Sequence, residues 1–187
     1  MKTFEELKKD LLERAKKHHA CQDGYSMGLN AKSKQDLLKA ITDNWCWVLS
    51  TSKMIDANYL EENFTEEELT EAGIYTRKEH ASDTESFACG SATVEAYGSA
   101  TVEACDSATV KAYDSATVEA YDSATVKAYD FATVKAYDSA TVEAYDNSYV
   151  EDCTGNINTV SDHGIVKDYY NHKIYIKKGK FEIIEIE

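Results

Sequence analysis

The residues most able to do chemistry are acidic and aromatic side chains that recur every eight positions between Ser91 and Thr154. The acidic set is Glu95, Glu103, Asp106, Asp114, Glu119, Asp122, Asp130, Asp138, Glu143, Asp146 and Glu151. The aromatic set is Tyr97, Tyr113, Tyr121, Tyr129, Tyr137 and Tyr145. Two carboxylates can serve as general acid and general base only when different surroundings give them different pKa values. These copies are equivalent, so the pattern predicts no active site and a chain that is not an enzyme.

Other catalytic or cofactor-binding patterns are not visible in the chain. His18, His19 and Cys21 lie close together, but their spacing matches no standard zinc site. There is no phosphate-binding glycine loop, nucleophile elbow or HExxH motif. We therefore expect no metal and no cofactor.

The charge balance favours a protein partner. The formal net charge is −14, and the stretch from Ser91 to Thr154 holds twelve acids against three lysines. Such a surface repels free nucleic acid and attracts basic surfaces. We expect a partner with a basic surface, bound through the acidic set, the aromatic set or both.

The location expected from the sequence is the cytoplasm. Five cysteines without CxxC spacing favour a reducing compartment. The first residues lack the apolar core of a secretory signal, and no stretch approaches membrane-spanning length. The sequence thus predicts no membrane association.

The eight-residue repeat, SATVEAYD or SATVKAYD, predicts a β-solenoid. Ala-Val-Ala alternates with Thr-Glu/Lys-Tyr, which is the period of a half-buried strand, and Asp-Ser closes each copy as a turn. Burying the Glu/Lys column would be prohibitive, so Ala92, Val94, Ala96 and their equivalents face inward. On the same register, Val166 and Ile174 extend the valine column.

The cysteines indicate that two octads make one coil. Cys89, Cys105 and Cys153 occupy the tyrosine column and are 16 and 48 residues apart. Because both separations are multiples of sixteen, all three are predicted to lie on one wall of the solenoid.

Residues 1–82 differ from the repeats and predict a helical cap domain, followed by the solenoid over residues 83–187. Thr3 with Glu6, and Thr65 with Glu68, form capping boxes, Ser33 can begin another helix, and Gly73 is a plausible stop. Four or five short helices are expected, and the fold class is α+β. The segment is expected to cover the first coil, with a separate partner-binding role as the alternative.

The end of the chain carries large apolar residues after the last coil. Phe181, Ile184 and Ile186 are too apolar for a free tail, and a terminal strand would leave an open edge. The charges of Glu182, Glu185 and Glu187 could block that edge. The interpretation we favour is a homodimer that meets end to end through this last coil.

The SATVEAYD and SATVKAYD octads resemble repeats in uncharacterised proteins of gut bacteria and their phages, in which a short helical region precedes a repetitive β-solenoid. More distantly, the layout looks like the pentapeptide-repeat proteins, acidic solenoids that imitate duplex DNA. The second resemblance implies an inhibitor of the DNA-mimic or anti-defence type, whose rigid acidic rod blocks a nucleic-acid-binding protein. The alternative is a structural or surface-attachment scaffold that uses the tyrosine and threonine columns.

Overall fold

A computed structural model describes residues 1–156 and 159–184. The helical segment, residues 1–73, contains five α-helices and a π-helical turn, and three of the helices begin at the predicted caps Thr3, Ser33 and Thr65. The helices are α1 (Phe4–Lys17), α2 (Gln22–Asn30), α3 (Lys34–Thr42), α4 (Ala57–Asn63) and α5 (Glu66–Glu71), and the π-helical turn is Cys46–Thr51. Both capping boxes form, and Gly73 follows α5 in the left-handed conformation.

The rest of the described chain winds into a β-solenoid of about six coils, with sixteen residues in each coil. Except for the last strand, successive strands alternate between two sheets, and in the regular repeats strands sixteen residues apart pair in parallel and in register. The odd wall consists of β1 (Ile74–Tyr75), β3 (Glu85–Ala88), β5 (Thr101–Ala104), β7 (Thr117–Ala120), β9 (Thr133–Ala136), β11 (Tyr149–Asp152), β13 (Ile165–Asp168) and β14 (Lys173–Ile176). The even wall consists of β2 (Glu79–Ser82), β4 (Thr93–Ala96), β6 (Thr109–Ala112), β8 (Thr125–Ala128), β10 (Thr141–Ala144) and β12 (Thr159–Val160).

The interior of the solenoid contains the predicted alanine and valine columns. Val94, Ala96 and most of their equivalents are fully buried, whereas the Thr and Glu/Lys positions between them reach the surface. Small side chains let two facing walls approach closely. Each buried valine adds roughly 1.5–3 kcal/mol of apolar burial, so the core grows by a fixed increment with each octad.

The helical segment packs against the flank of the odd wall and reaches further than the first coil. Phe87, Cys89, Cys105 and Tyr121, from three successive coils, belong to the same apolar cluster as the helices. Trp45 meets Phe87 with ring centroids 5.3 Å apart. Cys89 and Cys105 are fully buried there, so cysteine replaces tyrosine where a larger ring would occupy the space of the helices.

The winding ends in a strand reversal, and the expectation for Ile174 is wrong. Strand β14 pairs antiparallel with β13, so Tyr175, not Ile174, lies opposite Val166. Ile174 is 66% exposed, whereas Val166 is fully buried as predicted. The reversal occurs because Asp168 accepts hydrogen bonds from the backbone N–H and side-chain amide of Asn171, which closes a tight turn.

Candidate functional site

The even wall displays an uninterrupted ladder of four stacked tyrosine rings. Tyr97, Tyr113, Tyr129 and Tyr145 follow one another with centroids 5.0–5.1 Å apart and rings nearly parallel. Tyrosine follows directly after β4, β6, β8 and β10, so the sixteen-residue coil places these rings in one column. On the odd wall the corresponding column is Cys89, Cys105, Tyr121, Tyr137 and Cys153, and only Tyr121 and Tyr137 stack there, 5.0 Å apart. The three cysteines lie on one wall, as predicted.

The glutamates of the even wall are paired with lysines of neighbouring coils. Lys111 lies 2.8 Å from Glu95, and Lys127 lies 3.2 Å from Glu143. The hydroxyls of Tyr97 and Tyr145 donate to the same two carboxylates at 2.6 Å. The lysines therefore neutralise acidic charge along the middle of this wall.

The glutamates of the odd wall lie in unlike surroundings. Lys135 lies 3.6 Å from Glu119, which also accepts a hydrogen bond from the Tyr121 hydroxyl at 2.7 Å. Glu151 accepts a hydrogen bond from Tyr169 at 3.2 Å. Glu103 is half-buried, and burial, followed by repulsion from Glu119 and Glu85, raises its pKa to about 7.

Glu103 is expected to weaken the fold as the pH rises. Its folded-state pKa of about 7 exceeds the ordinary value of 4.5, so the folded chain holds this proton more tightly than the unfolded chain. Stability from this group is therefore lost as pH rises from about 4.5 to about 7. Glu103→Gln should raise the melting temperature at about pH 8 and leave it nearly unchanged at about pH 4.

Glu95 provides the matched control at the same position of the octad on the other wall. Hydrogen bonds from Lys111 and then Tyr97 lower its pKa. Its charged form therefore stabilises the fold, and Glu95→Gln should lower the melting temperature at about pH 8. Thermal melts of both variants at the two pH values test the pair; a loss of stability on Glu103→Gln at about pH 8 would contradict the assignment.

The aspartates form two columns at the corners of the coil, and each one shapes its turn. The six aspartates of the regular repeats, and Asp162 one coil beyond Asp146, have positive φ, between 51° and 56°, a conformation that Asp tolerates better than most residues. Each column begins with a glycine that also has positive φ. The first edge follows the odd wall and contains Gly90, Asp106, Asp122 and Asp138; the second edge follows the even wall and contains Gly98, Asp114, Asp130 and Asp146.

Backbone hydrogen bonds connect the aspartates from coil to coil. On the second edge, Asp114 accepts from the N–H of Gly98 at 2.9 Å, Asp130 from Asp114 at 3.1 Å, and Asp146 from Asp130 at 3.2 Å. One carboxylate oxygen of each aspartate thus supports the fold. The negative charge remains on the surface of the corner.

The two edges differ because the helical segment reaches only one of them. Lys53 lies 3.1 Å from Asp122 on the first edge, and burial raises the pKa of Asp106 there. In the part of the chain that the structure describes, no Lys, Arg or His side chain lies within ion-pair distance of the second-edge aspartates. The unneutralised charge and the longer tyrosine ladder consequently lie side by side.

The residues predicted for a homodimer lie at the end of the described chain. Phe181 is 37% exposed and meets His163 edge-on at 5.8 Å, and Ile184 is 75% exposed. Ile186 falls outside the described residues. The homodimer stays a prediction.

Two buried carboxylates were missed by the sequence analysis. Asp152 and Asp168 occupy the inward column, where Ala136 stands one coil earlier, and both are buried. Asp152 accepts from the N–H and the hydroxyl of Thr154, and Asp168 accepts from Asn171. The replacement of the octad's second alanine by aspartate was the available signal. Both residues close the turns that follow their strands.

Among residues 1–156 and 159–184, no group of three or more His, Cys, Asp or Glu side chains is arranged to hold a metal ion. No helix in these residues has the length and apolar character needed to cross a bilayer. Comparisons with protein-family models, curated proteins and solved structures gave no match.

Proposed function

We propose that this chain is a non-catalytic interaction protein that binds a basic protein surface. The binding face would be the second edge together with the even-wall tyrosine ladder. The observation that carries the proposal is the asymmetry of the rod. The helical segment contacts the odd wall and first edge, whereas the second-edge aspartates lack ion pairs among the described residues and adjoin four stacked rings.

The chemistry of this face suits arginine. A guanidinium group can pair with a surface carboxylate through two hydrogen bonds, and the edges of the stacked rings, whose faces cover one another, lie next to these carboxylates. Tyr113 and Asp114 are adjacent in sequence, as are Tyr129 and Asp130, so the same pairing recurs on successive coils. A basic groove that normally holds nucleic acid would meet a regular column of negative charge, which is the basis for a DNA-mimic inhibitor.

The test is binding of a nona-arginine peptide, followed by fluorescence anisotropy over a range of salt concentrations. The triple variant Asp114→Asn, Asp130→Asn, Asp146→Asn removes three charges but keeps the left-handed turns and the acceptor oxygens. We expect affinity to fall about tenfold, since exposed charge pairs contribute up to about 1 kcal/mol each.

The matched control is Asp106→Asn, Asp122→Asn, Asp138→Asn, which changes the net charge equally on the first edge. It should weaken binding by less than about threefold. Equal losses from the two triple variants would show that overall charge, not this face, attracts the peptide, and would overturn the assignment. Binding that is insensitive to salt but lost on Tyr113→Ser and Tyr129→Ser would favour the scaffold alternative.

A second measurement tests the inhibitory form of the proposal. Partner proteins that bind the immobilised wild-type chain should be released when duplex DNA is added. The same proteins should not bind the triple second-edge variant. Capture that duplex DNA leaves unchanged would argue against nucleic-acid mimicry.

A further inference from the structure

We infer that the helical segment binds a single-chain anionic amphiphile of the medium-chain fatty acid class. Its tail would occupy an apolar cavity beneath α2, and its carboxylate would lie at Lys16. This inference is independent of the proposed function, because it concerns residues on a different part of the molecule.

The cavity has a volume of about 270 Å³ and an almost wholly apolar lining. Side chains of α1, α3 and the π-helical turn form its walls, among them Leu11, Ile41 and Trp47. The lining amide of Asn44 already donates to the carbonyl of Ala40 at 2.9 Å. A lining with so few polar groups holds water poorly and accepts apolar molecules. Its size is close to the lower limit of small-molecule sites.

The cavity exists because α2 presents glycines to it. No residue of α2 is fully buried, and Gly24 and Gly28, one helical turn apart, face the cavity where other helices would place large side chains. A Cβ atom at Gly28 would lie 3.4 Å from a methyl group of Leu12, which is ordinary contact. The site can therefore be filled by substitution without backbone strain.

A basic groove adjoins this cavity. Leu12 and Tyr25 line both the cavity and the groove, and the groove also carries three lysines, Lys8, Lys9 and Lys16, against two glutamates, Glu5 and Glu13. Residues 1–34 hold eight Lys and Arg against five Asp and Glu, in a chain whose net charge is −14. This region can therefore attract an anion that the rest of the molecule repels.

Lys16 is the cation available for such an anion. The ammonium group of Lys8 donates to the carbonyl of Ala31 at 2.7 Å, and that of Lys9 lies 4.0 Å from Glu13. Lys16 lines the groove, and its ammonium group lies 5.5 Å from the centre of the ring of Tyr25, which lines both groove and cavity. Among the described residues, no carboxylate lies within ion-pair distance of it.

Together, these features favour a ligand with one apolar tail and one negatively charged end. A phospholipid has two tails, and this cavity has room for one. An uncharged molecule would form no ion pair with the ammonium group of Lys16. A free fatty acid places an apolar tail in the cavity and a carboxylate beside the lysine.

The test is titration of the full chain with decanoate below its micelle concentration. Calorimetry measures the affinity, and the fluorescence of Trp47, which lines the cavity, should change on binding. Lys16→Gln should weaken decanoate binding about three- to fivefold, as expected for a partly exposed charge pair. Lys17→Gln removes the same charge from the next residue, outside both cavity and groove, and should leave the affinity unchanged.

Two further measurements distinguish the contribution of the tail to binding from that of the carboxylate. Decanol should bind the wild type and Lys16→Gln equally, whereas Gly28→Leu should abolish binding of both ligands while circular dichroism remains that of the wild type. If Gly28→Leu fails to fold, the two lysine variants still decide the question. Absence of decanoate binding, equal effects of Lys16→Gln and Lys17→Gln, or binding only to vesicles of phosphatidylglycerol would overturn the inference.

Discussion

Val118→Asp is expected to unfold the solenoid. Val118 lies on β7, is fully buried, and pairs with Val102 and Val134 in the adjacent coils. The described interior around Val118 consists of alanine and valine side chains of the neighbouring strands, which cannot pair with a carboxylate. Burying the charge, or protonating it to avoid that burial, costs more than about 4 kcal/mol, a large part of the stability of a typical domain.

Thr117→Asp is the matched control, because it places the same charge one residue earlier on the outer face. Thr117 reaches the surface, so its replacement should cost at most about 1 kcal/mol, the range of strand propensities. Circular dichroism melts and limited proteolysis compare the two variants. Greater damage from Thr117→Asp would reverse the assignment of inner and outer faces.

Cys105→Tyr is expected to detach the helical segment, although it restores the residue that the repeat prefers at this position. Cys105 is fully buried in the cluster that contains Trp45, and its thiol lies 3.7 Å from the carbonyl oxygen of Ala88. A tyrosine ring would overpack this cluster, and overpacking costs typically about 1–3 kcal/mol and occasionally more. The emission of the two tryptophans should shift towards that of exposed indole, while the strand signal in circular dichroism persists.

Cys153→Tyr makes the same change in the same column where the helices do not reach. Cys153 is exposed, and a ring at this position can extend the stack of Tyr121 and Tyr137. Stability should stay equal or rise by up to about 1 kcal/mol, the range of cross-strand pairs. If Cys105→Tyr proves as harmless as Cys153→Tyr, the helical segment does not pack on this column as described.

The repeat made most of the solenoid predictable from sequence. A column of Glu and Lys cannot face a dry interior, so Val94, Val118 and their equivalents had to face inward, and the structure confirms this. The spacing of Cys89, Cys105 and Cys153 supported two octads per coil, which the structure confirms. Both inferences rest on local rules that hold equally in every copy.

The ends of the solenoid were less predictable because there the rules change. The register placed Ile174 inside, but Asp168 closes a turn with Asn171 and reverses the chain before Ile174 is reached. The ion-pair partners of the charged columns could not be predicted from the repeat either. The difference between the two edges depends on Lys53, 69 residues away from Asp122, and on helices whose docking no octad encodes.

The near-identity of the octads also affects how the chain can fold. A strand such as β8 finds the same Thr, Val, charged and Ala positions in β6, β10 and every other even strand of the regular repeats, so pairing shifted by a whole coil has almost the same energy. Contacts that occur only once remove this degeneracy. They are concentrated where the helices meet Phe87, Cys105 and Asp122. We therefore expect nucleation at the first coils, with winding towards the C-terminus, since strands that began elsewhere would become trapped in slipped registers.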